Sequence, residues 1–221
     1  MTLPISLKFD YLSSDSKLKK SQTVSFKDQI LVVKNHLTDE YCDYLIEKFD
    51  RDDKKRPGRI GRGVDLSMKR STDLCLSDMS DWDTDDEYMC KLIGEIAQEW
   101  HDIYAGPFSM IDYSSNFADT GYQIQRTSPG EFYKWHHDFC VIDGNPRILT
   151  FIWYLNTIED KSGGYTEFID GTKIQPEKGK LVVFPATWTY LHRGFPPAEG
   201  SPDKYICTGW LHSDQGLIKR P

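Results

Sequence analysis

Two histidines and an aspartate lie close together in the segment Tyr133–Asp138, which reads YKWHHD. In a β-strand, residues i and i+2 point to the same face, so a strand here would place the side chains of His136 and Asp138 together and His137 on the other face. An imidazole nitrogen and a carboxylate oxygen are two of the three ligands of the 2-His-1-carboxylate triad, which holds non-haem Fe(II) and leaves coordination positions open. The segment therefore predicts two ligands of an iron site.

A third ligand has to come from a distant part of the chain. His192 is the candidate, because it follows the apolar strand LVVFP (181–185) and a second sheet would place it opposite His136 and Asp138. A His-x-Asp pattern alone occurs by chance in many chains, and His137 is the obvious alternative to His136, although it lacks a carboxylate two residues later. The remaining histidines are expected to make ordinary hydrogen bonds: His36, His101 and His212.

Lys204 is a candidate anion-binding residue. It opens the strand KYICTGWLH (204–212), where alternation places Lys204, Ile206, Thr208 and Trp210 on one face. If this strand and that of His192 are antiparallel neighbours, both residues reach one pocket, and a buried ammonium there requires an anion. The far carboxylate of 2-oxoglutarate, a co-substrate that chelates iron, would be such an anion. The alternative is a solvated lysine at a turn.

The elements that position these residues are mostly short strands. Turns rich in glycine, proline and aspartate separate six apolar segments after residue 118. The predicted strands cover 121–127, 131–137, 147–155, 165–169, 180–184 and 204–212. Several short strands with such turns predict a mainly β fold with a jelly-roll-type double sheet.

The N-terminal half predicts helices that support this sheet. A short buried strand (29–37) is followed by a helix start at Thr38, and a second helix is predicted from a cap at Thr84 or Asp85 to about Tyr104. The first 26 residues suggest an edge strand or a loose arm. The segment Arg51–Gly63 is basic and carries three glycines, so we predict a mobile loop. It is a candidate lid over a pocket. The alternative, which we favour for most of its charges, is a plain solvated loop.

Composition excludes several classes of protein. The chain has 221 residues, a size typical of one domain. Its formal net charge of −7 has the opposite sign to that of proteins that bind duplex phosphates. Five widely spaced cysteines without a C-x-x-C pair indicate a reducing compartment or no particular compartment, and they do not support a zinc ribbon. No signal peptide is evident, and no apolar run approaches the ~18 residues of a membrane span. We therefore expect a cytoplasmic protein that binds neither nucleic acid nor membrane.

From Gly121 onward, the order and spacing of motifs resemble the prolyl 4-hydroxylase-like branch of the Fe(II)/2-oxoglutarate-dependent dioxygenases. The segment ILVVKNHLTDEYCDYLI resembles the strand and helix that precede the core of this family, and Arg70-Ser71 resembles a pair often found before it. The matching motifs of the core are YKWHHD, RILTFIWYLN, GGYTEF, LVVFP, LHRGFPP and DKYICTGW.

The resemblance implies a double-stranded β-helix (jelly roll) core over 118–214, with strand and helix support over 1–117, in one domain spanning 1–221. It implies that His136, Asp138 and His192 hold iron, with 2-oxoglutarate and O2 as co-substrates and ascorbate as a further cofactor. Further expected roles concern the co-substrate pocket. Lys204 would bind the C5 carboxylate of 2-oxoglutarate, and Tyr154 would donate a hydrogen bond to the same carboxylate. Thr166 and Tyr133 would line the pocket. Trp210 would lie near the iron and the substrate.

Arg126 departs from the family pattern. It stands ten residues before His136, where prolyl hydroxylases often carry a tyrosine. A cation there would serve the C1 carboxylate of 2-oxoglutarate or an acidic substrate. The alternative is a strand arginine held in a salt bridge.

Hydroxylation of a peptidyl proline is the predicted function, so the expected partner is a peptide, a protein or a small molecule. Hydroxylation of a free amino acid or small metabolite is the first alternative, and a non-enzymatic jelly-roll binding module is the second. Nucleic-acid dealkylases of the superfamily carry paired arginines after the distal histidine. Here Arg193 and Lys204 follow it without such a pair. The sequence does not indicate an oligomeric state.

Overall fold

The computed structural model describes residues 24–27, 29–61, 63–77, 79–105, 117–142 and 144–213. The helices in these ranges are α1 (Asp39–Arg51) and α2 (Asp83–Ala105), with single 3-10 turns at Ser80–Trp82 and Asp160–Ser162. The strands are β1 (Val24–Lys27), β2 (Ile30–Val33), β3 (Arg56–Pro57), β4 (Thr72–Cys75), β5 (Phe117–Thr127), β6 (Tyr133–His136), β7 (Val141–Ile142), β8 (Asn145–Tyr154), β9 (Thr166–Phe168), β10 (Lys173–Ile174), β11 (Leu181–Pro185), β12 (His192–Gly194) and β13 (Lys204–Ser213).

The strands form two antiparallel sheets. Within the described residues, the large sheet has nine strands in the order β1-β2-β11-β8-β13-β5-β4-β3, with β7 paired to β8. The small sheet has four strands in the order β10-β9-β12-β6. The inner faces of the two sheets share an apolar cluster, to which the large sheet contributes Ile152 and Phe184 and the small sheet Phe168. This arrangement confirms the prediction of a mainly β, double-stranded β-helix fold.

Both helices cover the outer face of the large sheet. In α1, Cys42, Leu45 and Phe49 are buried at helical spacing, and they pack in one cluster with Phe151 and Trp153 of β8. Met89, Ile93 and Ile96 of α2 lie at helical spacing and join the same cluster. Alternation along β8 therefore divides its side chains between the helices and the space between the sheets.

Local chemistry explains where α1 begins and ends. The Thr38 hydroxyl accepts a hydrogen bond from the Tyr41 backbone N–H at 3.2 Å, a cap that contributes about 1 kcal/mol. Asp39 lies in the first turn and Arg51 in the last, so both charges oppose the partial charges of the helix ends. The cap predicted at Thr38 is confirmed, whereas α2 begins at Asp83, one or two residues before the predicted cap positions.

The N-terminal segment contributes more strand than the sequence predicted. β1 is an edge strand of the large sheet, as predicted for part of the first 26 residues, and residues 1–23 lie outside the described ranges. Part of the basic segment is also ordered as strand, because Arg56–Pro57 pairs with β4 and Ile60 bridges Gly63. The segment predicted as a loop over 51–63 therefore contains short stretches of paired backbone at these residues. Among the described helices, none combines the length and apolar character needed to cross a bilayer.

Candidate metal centre

Three potential metal ligands converge between the two sheets. The side chains of His136, Asp138 and His192 each offer one donor atom, and these atoms all lie within 4.8 Å of one another. Nε2 of His136 lies 3.7 Å from Oδ1 of Asp138, and Nε2 of His192 lies 3.5 Å from Oδ2. Ligands at right angles and about 2.1 Å from a metal ion are about 3 Å apart, so small adjustments would let these donors hold one ion on a single face.

The small sheet brings the two histidines together. His192 of β12 pairs directly with His136 of β6, so both belong to the same sheet. The prediction that a second sheet places His192 opposite His136 is therefore wrong. The two histidines are nevertheless close together, because their strands are neighbours in one sheet. Asp138 lies two residues beyond the end of β6, and its carboxylate lies close to both imidazoles.

Hydrogen bonds orient the two imidazole rings. Nδ1 of His136 lies 2.8 Å from the Lys134 carbonyl oxygen, and Nδ1 of His192 lies 3.0 Å from the Tyr190 carbonyl oxygen. A carbonyl oxygen only accepts, so each Nδ1 carries the proton and each Nε2 offers its lone pair to a metal ion that would also bind Asp138. Burial, followed by the nearby His192, lowers the pKa of His136. His136 is therefore held in the neutral form that ligates metals.

The carboxylate between the histidines is kept ionised. Burial alone would raise the pKa of Asp138, but His192, His136 and the Thr150 hydroxyl together lower it below its ordinary value. The Thr150 hydroxyl donates to Oδ2 of Asp138 at 2.8 Å and so fixes the carboxylate. Thr150 lies on β8 in the large sheet, twelve residues from Asp138, and no sequence pattern pointed to it.

A pocket runs from these three residues into the space between the sheets, and Lys204 lies in its wall. The Lys204 side chain is 4% exposed, and no described residue gives its ammonium a hydrogen bond or a counter-ion. Burial lowers its pKa from 10.5 to about 8. Lys204 belongs to the large sheet and faces β12 across the pocket, so the prediction that its strand neighbours that of His192 is wrong.

Tyr154 and Thr166 form a buried pair behind the same pocket. The Tyr154 hydroxyl donates to Oγ1 of Thr166 at 2.7 Å, and Thr166 is the member that lines the pocket. The Thr166 hydroxyl therefore keeps its own proton for a ligand. Tyr154 was predicted to contact a carboxylate itself, but in the structure its hydroxyl reaches the pocket through Thr166.

Tyr133 forms part of the pocket wall next to the histidines. Its ring stacks on the imidazole of His136, with centroids 3.5 Å apart and planes 14° apart. Lys69 lies on the other side, with Nζ 5.1 Å from the ring centroid, and forms a buried ion pair with Asp73 at 2.6 Å. Sequence reasoning missed this ion pair, because the four-residue spacing lies outside any helix and carried no signal.

Trp210 lines both the inner pocket and an adjoining outer groove. The outer groove is also lined by Arg59, Ile60, Gly61, His137, Phe139 and Arg147. The guanidinium carbon of Arg147 lies 3.7 Å from the centroid of its ring. Among the described residues, the buried indole N–H of Trp210 makes no hydrogen bond of ordinary geometry, although it lies near the Asp138 carboxylate and helps to lower the pKa of that group.

Arg126 does not reach the pocket. Its neighbours in β5, Gln125 and Thr127, line the pocket, so alternation directs Arg126 to the opposite face of the sheet. There its guanidinium lies 3.7 Å from Asp203 and 3.9 Å from Asp50 of α1. The prediction that Arg126 serves a carboxylate of 2-oxoglutarate or an acidic substrate is wrong, and the alternative of a strand arginine in a salt bridge is correct.

Comparisons with known proteins identify the region that carries this centre. Residues 122–212 match the family model of the 2OG-Fe(II) oxygenase superfamily, and this span contains all three converging residues and Lys204. This segment is less than half of the chain, and through it the chain is similar to the 2OG-Fe(II) oxygenase superfamily.

Curated relatives match different shares of the chain. A PKHD-type hydroxylase of Synechococcus sp. (strain CC9605) is 31% identical over 94 residues, which are 41% of this chain and 40% of that protein. The chain thus spans about two fifths of the length of this relative. Prolyl 4-hydroxylase 1 of Arabidopsis thaliana is 25% identical over an alignment of 232 positions, gaps included, that covers 87% of this chain and 71% of that protein.

Solved structures agree with the fold. The viral collagen prolyl hydroxylase of Paramecium Bursaria Chlorella virus-1, in its 2OG complex, superposes with a TM-score of 0.58 at 23% identity, covering 84% of this chain and 96% of that one. A prolyl-4-hydroxylase of Pseudomonas putida gives a TM-score of 0.60 at 20% identity, covering 83% and 92%. The prolyl 4-hydroxylase-like fold is therefore shared by most of the chain.

Proposed function

We propose that this protein is an Fe(II)- and 2-oxoglutarate-dependent hydroxylase in which His136, Asp138 and His192 hold the iron. The observation that carries the proposal is the pairing of this donor set with Lys204, a buried cation that has no counter-ion among the described residues. Two imidazoles and one carboxylate suit Fe(II), and an isolated buried ammonium suits a dicarboxylate co-substrate.

The protein's own groups prepare the metal centre. The carbonyl oxygens of Lys134 and Tyr190 hold both histidines in the tautomer that offers Nε2, and Thr150 fixes the Asp138 carboxylate. Such outer contacts orient ligands and raise metal affinity. Bound Fe(II) and 2-oxoglutarate would activate O2 so that one oxygen atom enters a substrate C–H bond as hydroxyl and the other enters succinate, with release of CO2.

The inner pocket would bind 2-oxoglutarate with its C5 carboxylate on Lys204. Thr166 lies in the same wall, and its hydroxyl is free to donate because Tyr154 supplies the proton for the bond between them. Tyr133 closes the pocket beside His136 and excludes water from the metal side. Ascorbate is a further cofactor to be tested.

We propose a peptidyl proline as the substrate, approached through the outer groove beyond Trp210. The support is the likeness to the Arabidopsis and bacterial prolyl 4-hydroxylases, together with a groove cavity of about 540 Å³, which accommodates an extended segment. Arg59, Ile60 and Gly61 of the basic segment border this groove, and the proposal that Arg51–Gly63 acts as a lid is retained for these residues.

Anaerobic titration tests the metal proposal. Adding Fe(II) and 2-oxoglutarate should produce a weak visible charge-transfer band, and His136→Ala should abolish it. His137→Ala is the matched control, since His137 is adjacent and exposed, and it should retain the band. Succinate release with an intact-mass increase of one oxygen on a proline-containing peptide would then test the substrate class.

A further inference from the structure

A buried ion pair lies beside the metal centre without belonging to its proposed ligands. The Lys69 side chain is 3% exposed and that of Asp73 is 9% exposed, and Nζ of Lys69 lies 2.6 Å from Oδ2 of Asp73. The Ser71 hydroxyl donates to the other carboxylate oxygen of Asp73 at 2.7 Å. Removing two charges from water is costly, and an apolar pair of similar size often stabilises a protein as well or better. Stability alone therefore does not account for this pair.

The ammonium of Lys69 lies over the ring of Tyr133. Its Nζ atom is 5.1 Å from the ring centroid, which is within the range of a cation–π contact. The two backbones also pair, because Lys69 forms a β-bridge with Tyr133 and the Arg70 N–H donates to the Phe132 carbonyl oxygen at 2.7 Å. The salt bridge to Asp73 restrains the long Lys69 side chain. The Tyr133 ring is thus held by a cation that is itself anchored.

The Tyr133 ring in turn lies on the imidazole of His136. The ring centroids are 3.5 Å apart and the planes differ by 14°, so the stack covers one face of the imidazole. The hydrogen bond between Nδ1 of His136 and the Lys134 carbonyl oxygen fixes a direction within the plane of the imidazole. That bond alone leaves the imidazole free to tilt about it, whereas a second ring stacked on its face opposes such a tilt. Tyr133 therefore helps to determine where Nε2 of His136 points.

The basic segment packs against the same ion pair. A methyl group added at Gly58 would lie 2.9 Å from Cε of Lys69, so the backbone of Gly58 is in direct contact with this side chain. The Gly58 N–H also donates to the Ser71 carbonyl oxygen at 2.9 Å. Lys69 is therefore enclosed by a carboxylate, an aromatic ring and a glycine backbone.

We propose that Lys69, anchored by Asp73, is a positioning residue of the metal centre that holds the Tyr133 ring against His136. Nε2 of His136 then remains directed towards the other two donors of the centre. The proposal rests on the hydroxylase function proposed above and deepens it. Lys69 and Tyr133 contribute no ligand atom and act through His136. Contacts of this kind, outside the set of ligands, orient the ligands and raise metal affinity.

Removing both charges tests the proposal without leaving one of them unpaired. Lys69→Met/Asp73→Asn lacks the ion pair, and changing both partners avoids the large destabilisation that follows the loss of one partner. Anaerobic titration with Fe(II) in the presence of 2-oxoglutarate, followed by the charge-transfer band, measures the Kd for the metal. We expect this Kd to rise by about 10-fold or more. Lys69→Arg keeps a cation that can pair with Asp73 and lie over the ring, so it should retain most of the affinity.

A second measurement needs no metal. The ring current of a stacked tyrosine moves the NMR signals of the imidazole protons upfield, and His136→Ala assigns these signals. In metal-free Lys69→Met/Asp73→Asn, the His136 signals should move downfield, towards ordinary values. Tyr133→Leu, which removes the ring, should cause the same change and a similar loss of Fe(II) affinity. Adding the changes at Lys69 and Asp73 to Tyr133→Leu should cause no further loss, because all three side chains act on one group.

An ion pair between the two helices provides the control. Nζ of Lys48 lies 2.7 Å from Oδ2 of the buried Asp85 and 4.2 Å from the centroid of the Trp82 ring. Lys48 belongs to α1 and Asp85 to α2, on the outer face of the large sheet. Lys48→Met/Asp85→Asn therefore removes a similar pair away from the metal centre. It should leave the Kd for Fe(II) and the His136 signals unchanged.

Two results would overturn the proposal. One is a folded Lys69→Met/Asp73→Asn variant with the Fe(II) affinity and the His136 signals of the wild type. The other is an equal loss of affinity in the control variant, which would indicate general damage. A wild-type protein that binds no Fe(II) would instead contradict the hydroxylase function, and the His136 signals of the metal-free protein would still decide whether Lys69 positions this imidazole.

Discussion

Replacing Lys204 by methionine should stabilise the protein in the absence of 2-oxoglutarate and weaken the binding of 2-oxoglutarate. The ammonium is buried, and no described residue provides a counter-ion. Burial lowers its pKa from 10.5 to about 8, and at about 1.4 kcal/mol per pKa unit the charged form costs about 3 kcal/mol in the folded state. Methionine fills a similar volume without this cost.

The pH dependence follows from the direction of the pKa change. The folded state loses the Lys204 proton at lower pH than the unfolded state does, so the cost is fully present below about pH 8. As the pH rises from about 8 towards the unfolded value of 10.5, the wild type should gain stability relative to Lys204→Met and the difference should close.

Binding of 2-oxoglutarate should change in the opposite direction. A hydrogen bond to a charged group contributes about 1.5–3 kcal/mol, so the Kd for 2-oxoglutarate should rise by a factor of about 10 to 100 in Lys204→Met. Urea unfolding at pH 7 and pH 9.5, with and without 2-oxoglutarate and Fe(II), measures both effects.

Lys180 provides the control for this experiment. It is similarly buried, but its ammonium pairs with Glu177 at 3.0 Å and donates to the Gln175 carbonyl oxygen. Lys180→Met should therefore destabilise the protein and leave the Kd for 2-oxoglutarate unchanged. The reasoning is refuted if Lys204→Met lowers stability without ligand while binding 2-oxoglutarate as tightly as the wild type.

Three further substitutions probe the surroundings of the site. Thr150→Val removes the hydroxyl that fixes Asp138 and should lower Fe(II) affinity by about 10- to 100-fold in an anaerobic titration; unchanged affinity would contradict the role of this bond. Gly58→Ala should destabilise the protein by about 1–3 kcal/mol in urea unfolding, because the added methyl group would overlap the Ser71 hydroxyl; a neutral result would mean that the segment moves freely. Tyr154→Phe should raise the KM for 2-oxoglutarate several-fold, because the Thr166 hydroxyl in the pocket wall would lose the hydrogen bond that Tyr154 donates to it. An unchanged KM would show that this pair does not affect the co-substrate.

The sequence was sufficient to locate the longer strands of the core and the three converging residues. Alternation of apolar residues marked each long strand, and the motif around His136 was recognisable because its neighbours in order and spacing resembled a known family. The short strand of His192 was not predicted, since three residues are too few for a periodic pattern.

The face of Arg126 illustrates what the sequence could not supply. Counting ten residues back from His136 does not determine which face a residue occupies, because a turn of irregular backbone separates β5 from β6. A shift of one residue in register moves a side chain to the other face of a sheet. In the structure, Gln125 and Thr127 line the pocket, and the Arg126 guanidinium lies 3.9 Å from the Asp50 carboxylate on the opposite face of the sheet.

Contacts between distant segments were equally hidden. Thr150 reaches Asp138 only after the large and small sheets pack together, and Arg147 reaches Trp210 only because β8 and β13 are neighbours. Neither contact follows from local spacing, so the groove and its arginine became visible only in three dimensions.

The most direct test of the central proposal is anaerobic titration of the purified protein with Fe(II) in the presence of 2-oxoglutarate, followed by visible absorption. We expect a weak charge-transfer band with one equivalent of Fe(II), lost in Asp138→Asn and in His192→Ala and retained in His137→Ala. A wild-type protein that binds neither Fe(II) nor 2-oxoglutarate in this titration would contradict the proposal.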